Sequence, residues 1–183
     1  MQNLPNILTF GRIAILPVII ALFFVSGAWA AWIAVSCYTL ACITDFLDGY
    51  LARKWKVVSP VGTFLDPIAD KIFIVSLLVV LAAFERLEGI WLIPAIVILV
   101  REILISGLRE FLGPKNIQLP VSKLAKWKTT VQMIALGFLI VGDYGDVIVP
   151  HTLLIGQILL TGAAVLTVMT GWRYLIEGLK HVN

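Results

Sequence analysis

Long runs of apolar residues, separated by short polar connections, constrain this chain more than any other feature of its sequence. A helix that crosses a bilayer needs about 20 consecutive, mostly apolar residues. Six segments approach or reach that length, at residues 7–24, 31–52, 62–84, 91–111, 127–141 and 152–175. We therefore predict an all-α, integral membrane bundle of six transmembrane helices, forming a single domain over residues 1–183.

The composition supports a membrane protein and excludes other classes. Hydrophobic residues make up 60% of the chain and charged residues 14%, whereas soluble domains average about 45–50% and about 25%. This excludes a disordered chain and a disulfide-stapled secreted fold, and we expect no nucleic-acid partner. Cys37 and Cys42 match no metal or disulfide spacing, so we interpret them as packing residues.

The basic residues are distributed unevenly between the ends of these segments. If the ends are assigned alternately to two sides of a membrane, every Lys and Arg except Arg86 falls on one side. The opposite side also receives a small group of acids: Glu85, Glu88, Asp143 and Asp146. Cytoplasmic loops carry the excess of Lys and Arg. We therefore predict a multi-pass protein of the inner (cytoplasmic) membrane with both termini in the cytoplasm.

Four aspartates lie near the predicted cytoplasmic ends of the second and third segments: Asp45, Asp48, Asp66 and Asp70. A charged side chain at the membrane centre costs about 2.5 kcal/mol or more, so such residues usually pair, meet water or bind a metal. At about 100° per residue, Asp48 lies roughly 60° around the helix from Asp45. Asp66 and Asp70 lie four residues apart on one face. Because the connection between the segments is short, the two acidic faces can meet.

Neighbouring residues indicate what such a site would hold. Carboxylates in a low-dielectric site repel one another, and one or two divalent cations would relieve that repulsion. Oxygen ligands favour Mg²⁺ or Mn²⁺ over Zn²⁺. Gly49 and Ala52 leave room beside the acids, and Arg53 offers a forked donor to a phosphate. The structural alternative is ion pairing of the aspartates with Arg53, Lys54 and Lys71, which leaves the small residues unexplained.

Two strings in this region resemble the signature of the CDP-alcohol phosphotransferase family. DFLDGYLAR at 45–53 and GTFLDPIAD at 62–70 contain every fixed position of D-x2-D-G-x2-A-R followed by G-x3-D-x3-D. The resemblance implies a membrane enzyme of six helices, usually a homodimer, whose site opens to the cytoplasm between the second and third helices. It implies two divalent ions, Mg²⁺ or Mn²⁺, held by Asp45, Asp48, Asp66 and Asp70. Asp70 is then the candidate general base, and the candidate nucleotide-binding residues are Gly49, Ala52, Arg53 and Ser59.

Basic residues of the later segments suit a second, phosphorylated substrate. Arg101 and Arg109 lie eight residues apart, within roughly 80° on one helix. Such a concentration of positive charge suits a doubly charged phosphate on the acceptor. The alternative is that these are ordinary basic anchors at the membrane surface. The candidate acceptor-phosphate residues are Arg101, Arg109, Lys126, Lys128 and Arg173.

The same segments sharpen the resemblance. REILISGLRE at 101–110, KWKTTVQM at 126–133 and LPNILTFGR at 4–12 resemble the phosphatidylglycerophosphate synthase branch of the family. Ala125 is a departure, because the branch often has glycine there. The implied reaction joins CDP-diacylglycerol and sn-glycerol 3-phosphate, giving phosphatidylglycerophosphate and CMP.

Two kinds of alternative remain open. A sister enzyme would use another acceptor: inositol phosphate, serine or phosphatidylglycerol. An Mg²⁺ or Mn²⁺ transporter would use the same carboxylates for conduction. The one-sided placement of the aspartates argues against the transporter, because a conduction path needs polar groups at several depths.

Overall fold

The described residues form mainly long helices. The computed structural model describes residues 4–55, 60–113 and 123–179. Their six α-helices are α1 (Leu4–Phe23), α2 (Ala28–Trp55), α3 (Pro60–Ala83), α4 (Leu92–Leu112), α5 (Lys123–Val141) and α6 (Thr152–Leu179). Short 3₁₀ helices at Gly89–Trp91 and Gly142–Val147 lie before α4 and after α5. The prediction of an all-α protein with six helices is confirmed, and each predicted boundary lies within four residues of the observed one.

Among the described residues, four stretches of helix are long and apolar enough to cross a membrane: Ala28–Asp45, Gly89–Leu112, Leu124–Val147 and Thr152–Glu177. The described part of α1 adds a shorter apolar helix, Gly11–Phe23. Large hydrophobic side chains such as Ile93, Val100 and Ile103 are more than half exposed on α4, which suits a helix that faces lipid. Six crossings with cytoplasmic termini stay a prediction.

Contacts divide the chain into two compact units. The first unit comprises Met1–Arg86 and Gly137–Leu153, and α1 packs on α2 and α3 within it. Small buried residues of α2, such as Ala34 and Ala41, allow close approach of neighbouring helices. The rings of Tyr38 and Phe73 stack between α2 and α3, with centroids 6.0 Å apart.

The second unit comprises Leu87–Leu136 and Leu154–Asn183, and therefore contains α4 and most of α5 and α6. Ile98, Ile105 and Leu112 are buried at seven-residue intervals along α4, which marks its inward face. The prediction of a single domain over 1–183 stays a prediction.

The end of α3 is tied to the turn that follows α5. Glu85 adopts a left-handed φ of 59°, and the Arg86 amide donates to the Leu81 carbonyl at 2.9 Å, which closes the helix. The Arg86 side chain then donates from Nη1 to Asp143 Oδ2 at 3.0 Å. Gly142, with a φ of 56°, lies so close to the Arg86 guanidinium that a Cβ would overlap it. Glycine at 142 is therefore favoured by the backbone, and a larger residue would have to displace the Arg86 guanidinium from its position beside Asp143.

We predict that Gly142→Ala lowers the thermal unfolding temperature in detergent, because alanine is strained at this φ and collides with Arg86. The expected loss is roughly 1–3 kcal/mol. Gly162→Ala is the matched control, since nothing lies within 4 Å of a Cβ at Gly162 and its backbone is helical. That control is expected to be neutral or stabilising by up to ~1 kcal/mol. Equal melting temperatures for the two variants would contradict the prediction.

Candidate active site

Three helices of the first unit each supply one residue to a charged cluster, which we call the Arg12 cluster: Arg12, Asp45 and Asp70. Arg12 of α1 donates from Nη2 to Asp45 Oδ1 on α2, and from Nη1 to Asp70 Oδ1 on α3. The Arg12 side chain is only 6% exposed, whereas Asp45 and Asp70 are 34% and 55% exposed. The arginine therefore reaches the carboxylates from inside the bundle, and the carboxylates remain accessible from outside.

The structure brings together two of the four predicted acids, one from each signature string. The predicted residues Asp48, Gly49, Ala52 and Arg53 lie in α2, and Asp66 lies in α3, but their side chains are outside the described part of the structure. Ser59 lies outside the described residues altogether. Arg12 is a partner of Asp45 and Asp70 that the sequence alternative, with Arg53, Lys54 and Lys71 as partners, did not include.

The chemistry of the Arg12 cluster fits a hard divalent cation. Asp45 and Asp70 both offer carboxylate oxygens, the donors that Mg²⁺ and Mn²⁺ prefer. Their oxygens converge on one positive group, so this position already attracts cationic charge. Two carboxylates against one guanidinium leave a net negative charge. Among the described side chains, no group of three or more metal-ligating residues is gathered.

Sequence reasoning did not single out Arg12 as a functional residue. It counted this arginine only as a basic residue on the cytoplasmic side and as part of an amino-terminal resemblance. A usable signal was present, however, because an arginine inside an apolar helix has to find a counter-charge. The acids in the neighbouring apolar helices are the natural partners. The Arg12 Nε is buried and has no hydrogen-bond partner within the described part of the chain.

A second charged cluster, which we call the Glu102 cluster, lies in the second unit and comprises Arg101, Glu102, Lys128 and Thr170. The Glu102 carboxylate on α4 accepts from Arg101 Nη1 at 3.2 Å and from Lys128 Nζ on α5. Arg101 also donates from Nη2 to Thr170 Oγ1 on α6 at 3.4 Å. Lys128 is buried at 6% exposure, and Thr170 at 1%. Two predicted acceptor-phosphate cations thus share one carboxylate.

The remaining predicted cations of this unit differ in their surroundings. Arg109 is exposed, and its guanidinium carbon lies 5.3 Å from the centre of the Tyr174 ring. The Arg101 guanidinium carbon lies 5.8 Å from the same centre. Lys126 is exposed on α5, and the Arg173 side chain is outside the described part of the structure. Sequence reasoning did not assign Glu102 or Tyr174 to a site. Glu102 pairs with Arg101 and Lys128, and the Tyr174 ring contacts Arg101 and Arg109.

The charge balance of the Glu102 cluster favours an anion. Arg101 and Lys128 together outweigh Glu102, so the cluster carries a net positive charge even before Arg109 is counted. Buried cations of this kind need a carboxylate nearby, because desolvation would otherwise be too costly. Guanidinium groups bind phosphate oxygens through paired hydrogen bonds. The cluster is therefore suited to phosphate, whereas the Arg12 cluster is suited to cations.

Comparison with known proteins identifies the family. The model of the CDP-alcohol phosphatidyltransferase family matches residues 2–169. The CDP-diacylglycerol–glycerol-3-phosphate 3-phosphatidyltransferase of Rickettsia typhi is 45% identical over 95% of this chain and 96% of its own length. The Haemophilus influenzae protein of the same name is 40% identical over 94% and 91%. A cardiolipin synthase (CMP-forming) of Oryza sativa is 42% identical over 76% of this chain and 46% of its own length.

The family match contains Arg12, both signature strings, and the Arg101 to Lys128 region, and it ends just before Tyr174. Members of this family generally use divalent metal ions. With its apolar helices, the chain is a multi-pass membrane protein. Its signature, its helical architecture and its near full-length relatives agree, and the chain belongs to the CDP-alcohol phosphatidyltransferase family.

Proposed function

We propose that this protein transfers the phosphatidyl group of CDP-diacylglycerol to sn-glycerol 3-phosphate, giving phosphatidylglycerophosphate and CMP in phospholipid biosynthesis. The observation that carries the proposal is the 45% identity to a relative named for this reaction, over 95% of the chain. The Arg12 cluster and the Glu102 cluster support it independently, because the reaction needs a site for cations and a site for an acceptor phosphate.

We assign the binding site for the donor, CDP-diacylglycerol, to the signature strings at 45–53 and 62–70. We infer that the cation ligands are Asp45, Asp48, Asp66 and Asp70, for one or two Mg²⁺ or Mn²⁺ ions. The nucleotide side of the donor is assigned to Gly49, Ala52, Arg53 and Ser59. When bound, a divalent cation neutralises charge on the donor's pyrophosphate and so lowers the barrier to substitution.

The group transfer itself is a substitution at phosphorus. Asp70 accepts the proton of the acceptor hydroxyl, and that oxygen forms a bond to the phosphatidyl phosphorus. The bond between this phosphorus and the CMP oxygen breaks, and CMP leaves with its electron pair. Arg12 holds the Asp70 carboxylate through a charged hydrogen bond, which restricts the direction in which Asp70 accepts the proton. No covalent enzyme intermediate is needed.

The acceptor phosphate is assigned to the cations Arg101, Arg109, Lys126, Lys128 and Arg173. Glycerol 3-phosphate carries a phosphate monoester, which is close to doubly charged at neutral pH. The net positive charge of the Glu102 cluster complements that dianion. Exposure of Arg109 leaves it accessible to a soluble substrate.

A second candidate is phosphatidyl transfer to phosphatidylglycerol. The observation that favours it is the 42% identity to a cardiolipin synthase (CMP-forming) over 76% of the chain. Phosphatidylglycerol carries a singly charged phosphodiester, which is attracted less strongly to several clustered cations than a doubly charged monoester is. Glycerol 3-phosphate is therefore the preferred acceptor.

We also propose that the protein is a homodimer of the inner membrane and that its active site faces the cytoplasm. The distribution of Lys and Arg supports this orientation, since Arg86 alone falls on the opposite predicted side. Glycerol 3-phosphate is a water-soluble anion, so its site has to be open to an aqueous compartment.

We predict that the purified protein releases CMP from CDP-diacylglycerol with glycerol 3-phosphate, and that EDTA abolishes this release until Mg²⁺ or Mn²⁺ is restored. Parallel reactions with phosphatidylglycerol, inositol phosphate and serine measure acceptor choice. Release of CMP with another acceptor but not with glycerol 3-phosphate would overturn the proposed reaction. Metal flux into liposomes without CMP release would favour the transporter.

We predict that Asp70→Asn lowers turnover by at least ~100-fold, because the amide cannot accept the hydroxyl proton. Binding of CDP-diacylglycerol is expected to survive largely unchanged. Asp143→Asn is the matched control, since Asp143 is 71% exposed and pairs with Arg86 in the turn after α5. Retained turnover in Asp70→Asn would remove Asp70 as the base.

We predict that Arg109→Ala raises the KM for glycerol 3-phosphate more than the KM for CDP-diacylglycerol. The expected rise is about 10-fold or more, the cost of one charge-assisted contact to phosphate. Lys115→Ala is the control, because Lys115 belongs to none of the proposed sites. An equal rise in both KM values would place Arg109 outside the acceptor site.

A further inference from the structure

We propose that Tyr174 is a positioning residue for the acceptor phosphate, acting through Arg101 and Arg109. This inference rests on the proposed function, because it gives those two arginines their role toward glycerol 3-phosphate. Tyr174 belongs to none of the sequence motifs discussed above and lies beyond the residues that match the family model.

Tyr174 is buried, yet both of its charged neighbours lie within reach of its ring. The ring is 6% exposed. The guanidinium carbons of Arg101 and Arg109 lie 5.8 Å and 5.3 Å from its centre. A cation within about 6 Å of an aromatic centroid is attracted by the electron-rich face of the ring, most strongly where water is excluded. One ring therefore contacts two like-charged groups from positions eight residues apart on α4.

The same part of α6 forms a cradle for Arg101. Thr170 Oγ1 accepts from Arg101 Nη2 at 3.4 Å. At the next position, a Cβ on Gly171 would lie 3.0 Å from Arg101 Cγ and 3.3 Å from its Nε, so glycine leaves space for the side chain to pass. Tyr174 lies one turn further along the helix. The Arg101 side chain therefore meets the Thr170 hydroxyl, the space beside Gly171 and the Tyr174 ring.

Two arginines that contact one ring repel each other, and a long side chain can adopt several rotamers. Glu102 offsets the charge of Arg101 and Lys128 through ion pairs with both. The Tyr174 ring supplies one surface that both guanidinium groups contact. We expect it to hold the pair in one arrangement before the acceptor arrives, so that less conformational entropy is lost when phosphate binds.

The simpler interpretation is that Tyr174 only fills space. A spacer depends on the shape of the ring, whereas a cation–π partner also depends on the electron density of its face. These properties can be varied separately. Fluorine substitution withdraws electron density while changing the ring's shape little, so folding is preserved across the series.

The experiment replaces Tyr174 by phenylalanine and by its 4-fluoro, 3,5-difluoro and 3,4,5-trifluoro analogues in the full-length protein. KM for glycerol 3-phosphate, KM for CDP-diacylglycerol, turnover and melting temperature are measured for each. We expect the KM for glycerol 3-phosphate to rise with each fluorine while the KM for CDP-diacylglycerol stays constant. Tyr174→Phe is expected to remain close to wild type, and Tyr174→Leu to raise the glycerol 3-phosphate KM about 10-fold.

Trp172→Leu is the matched control, because Trp172 is an aromatic residue of the same helix that is 65% exposed. It is expected to leave both KM values unchanged. A flat response to fluorination, in an enzyme that releases CMP with glycerol 3-phosphate, would overturn the role of Tyr174 alone. Failure of the wild-type protein to release CMP with glycerol 3-phosphate would overturn the proposed function, and this inference with it.

Discussion

A charged side chain inside an apolar helix bundle has to meet an opposite charge or a ligand, because the surrounding hydrocarbon supplies neither water nor counterions. The described charges follow this constraint in two complementary ways. Arg12 lies between Asp45 and Asp70, and Glu102 lies between Arg101 and Lys128. In each case one charge joins two of the opposite sign. The net charge is therefore negative in the Arg12 cluster and positive in the Glu102 cluster.

The opposite net charges of the two clusters suit the two substrates of phosphatidyl transfer. The donor brings a pyrophosphate whose charge has to be neutralised by cations, and cations are attracted to excess carboxylate. The acceptor brings its own phosphate, which is attracted to excess guanidinium and ammonium groups. Arg12 and Glu102 restrain the charged groups that they contact. Under the proposed function, this restraint reduces the reorganisation needed when substrates bind. In the same way, we propose that the Tyr174 ring restrains Arg101 and Arg109 through cation–π contacts rather than ion pairs.

Much of the fold could be predicted because hydrophobicity and helical periodicity are local properties. All six helices begin and end within four residues of the predicted positions. The largest differences are at the polar ends of α5 and α6, where residues such as Lys123 continue the helix beyond the apolar run. The spacing of the aspartates also predicted that α2 and α3 turn acidic faces toward a common place, and Asp45 and Asp70 do contact one guanidinium.

The partners of these charges could not be predicted in the same way. Arg12 lies 33 residues from Asp45 and 58 from Asp70, and Arg101 lies 69 from Thr170. Such pairs depend on how far each helix is rotated about its own axis, and that rotation is decided by side-chain packing between helices. The sequence by itself therefore determined a membrane-spanning helical protein with a specific set of charged residues. Only the tertiary structure decided that Arg12 and Glu102 would each join two opposite charges and that one ring would serve two arginines, because these contacts arise between helices.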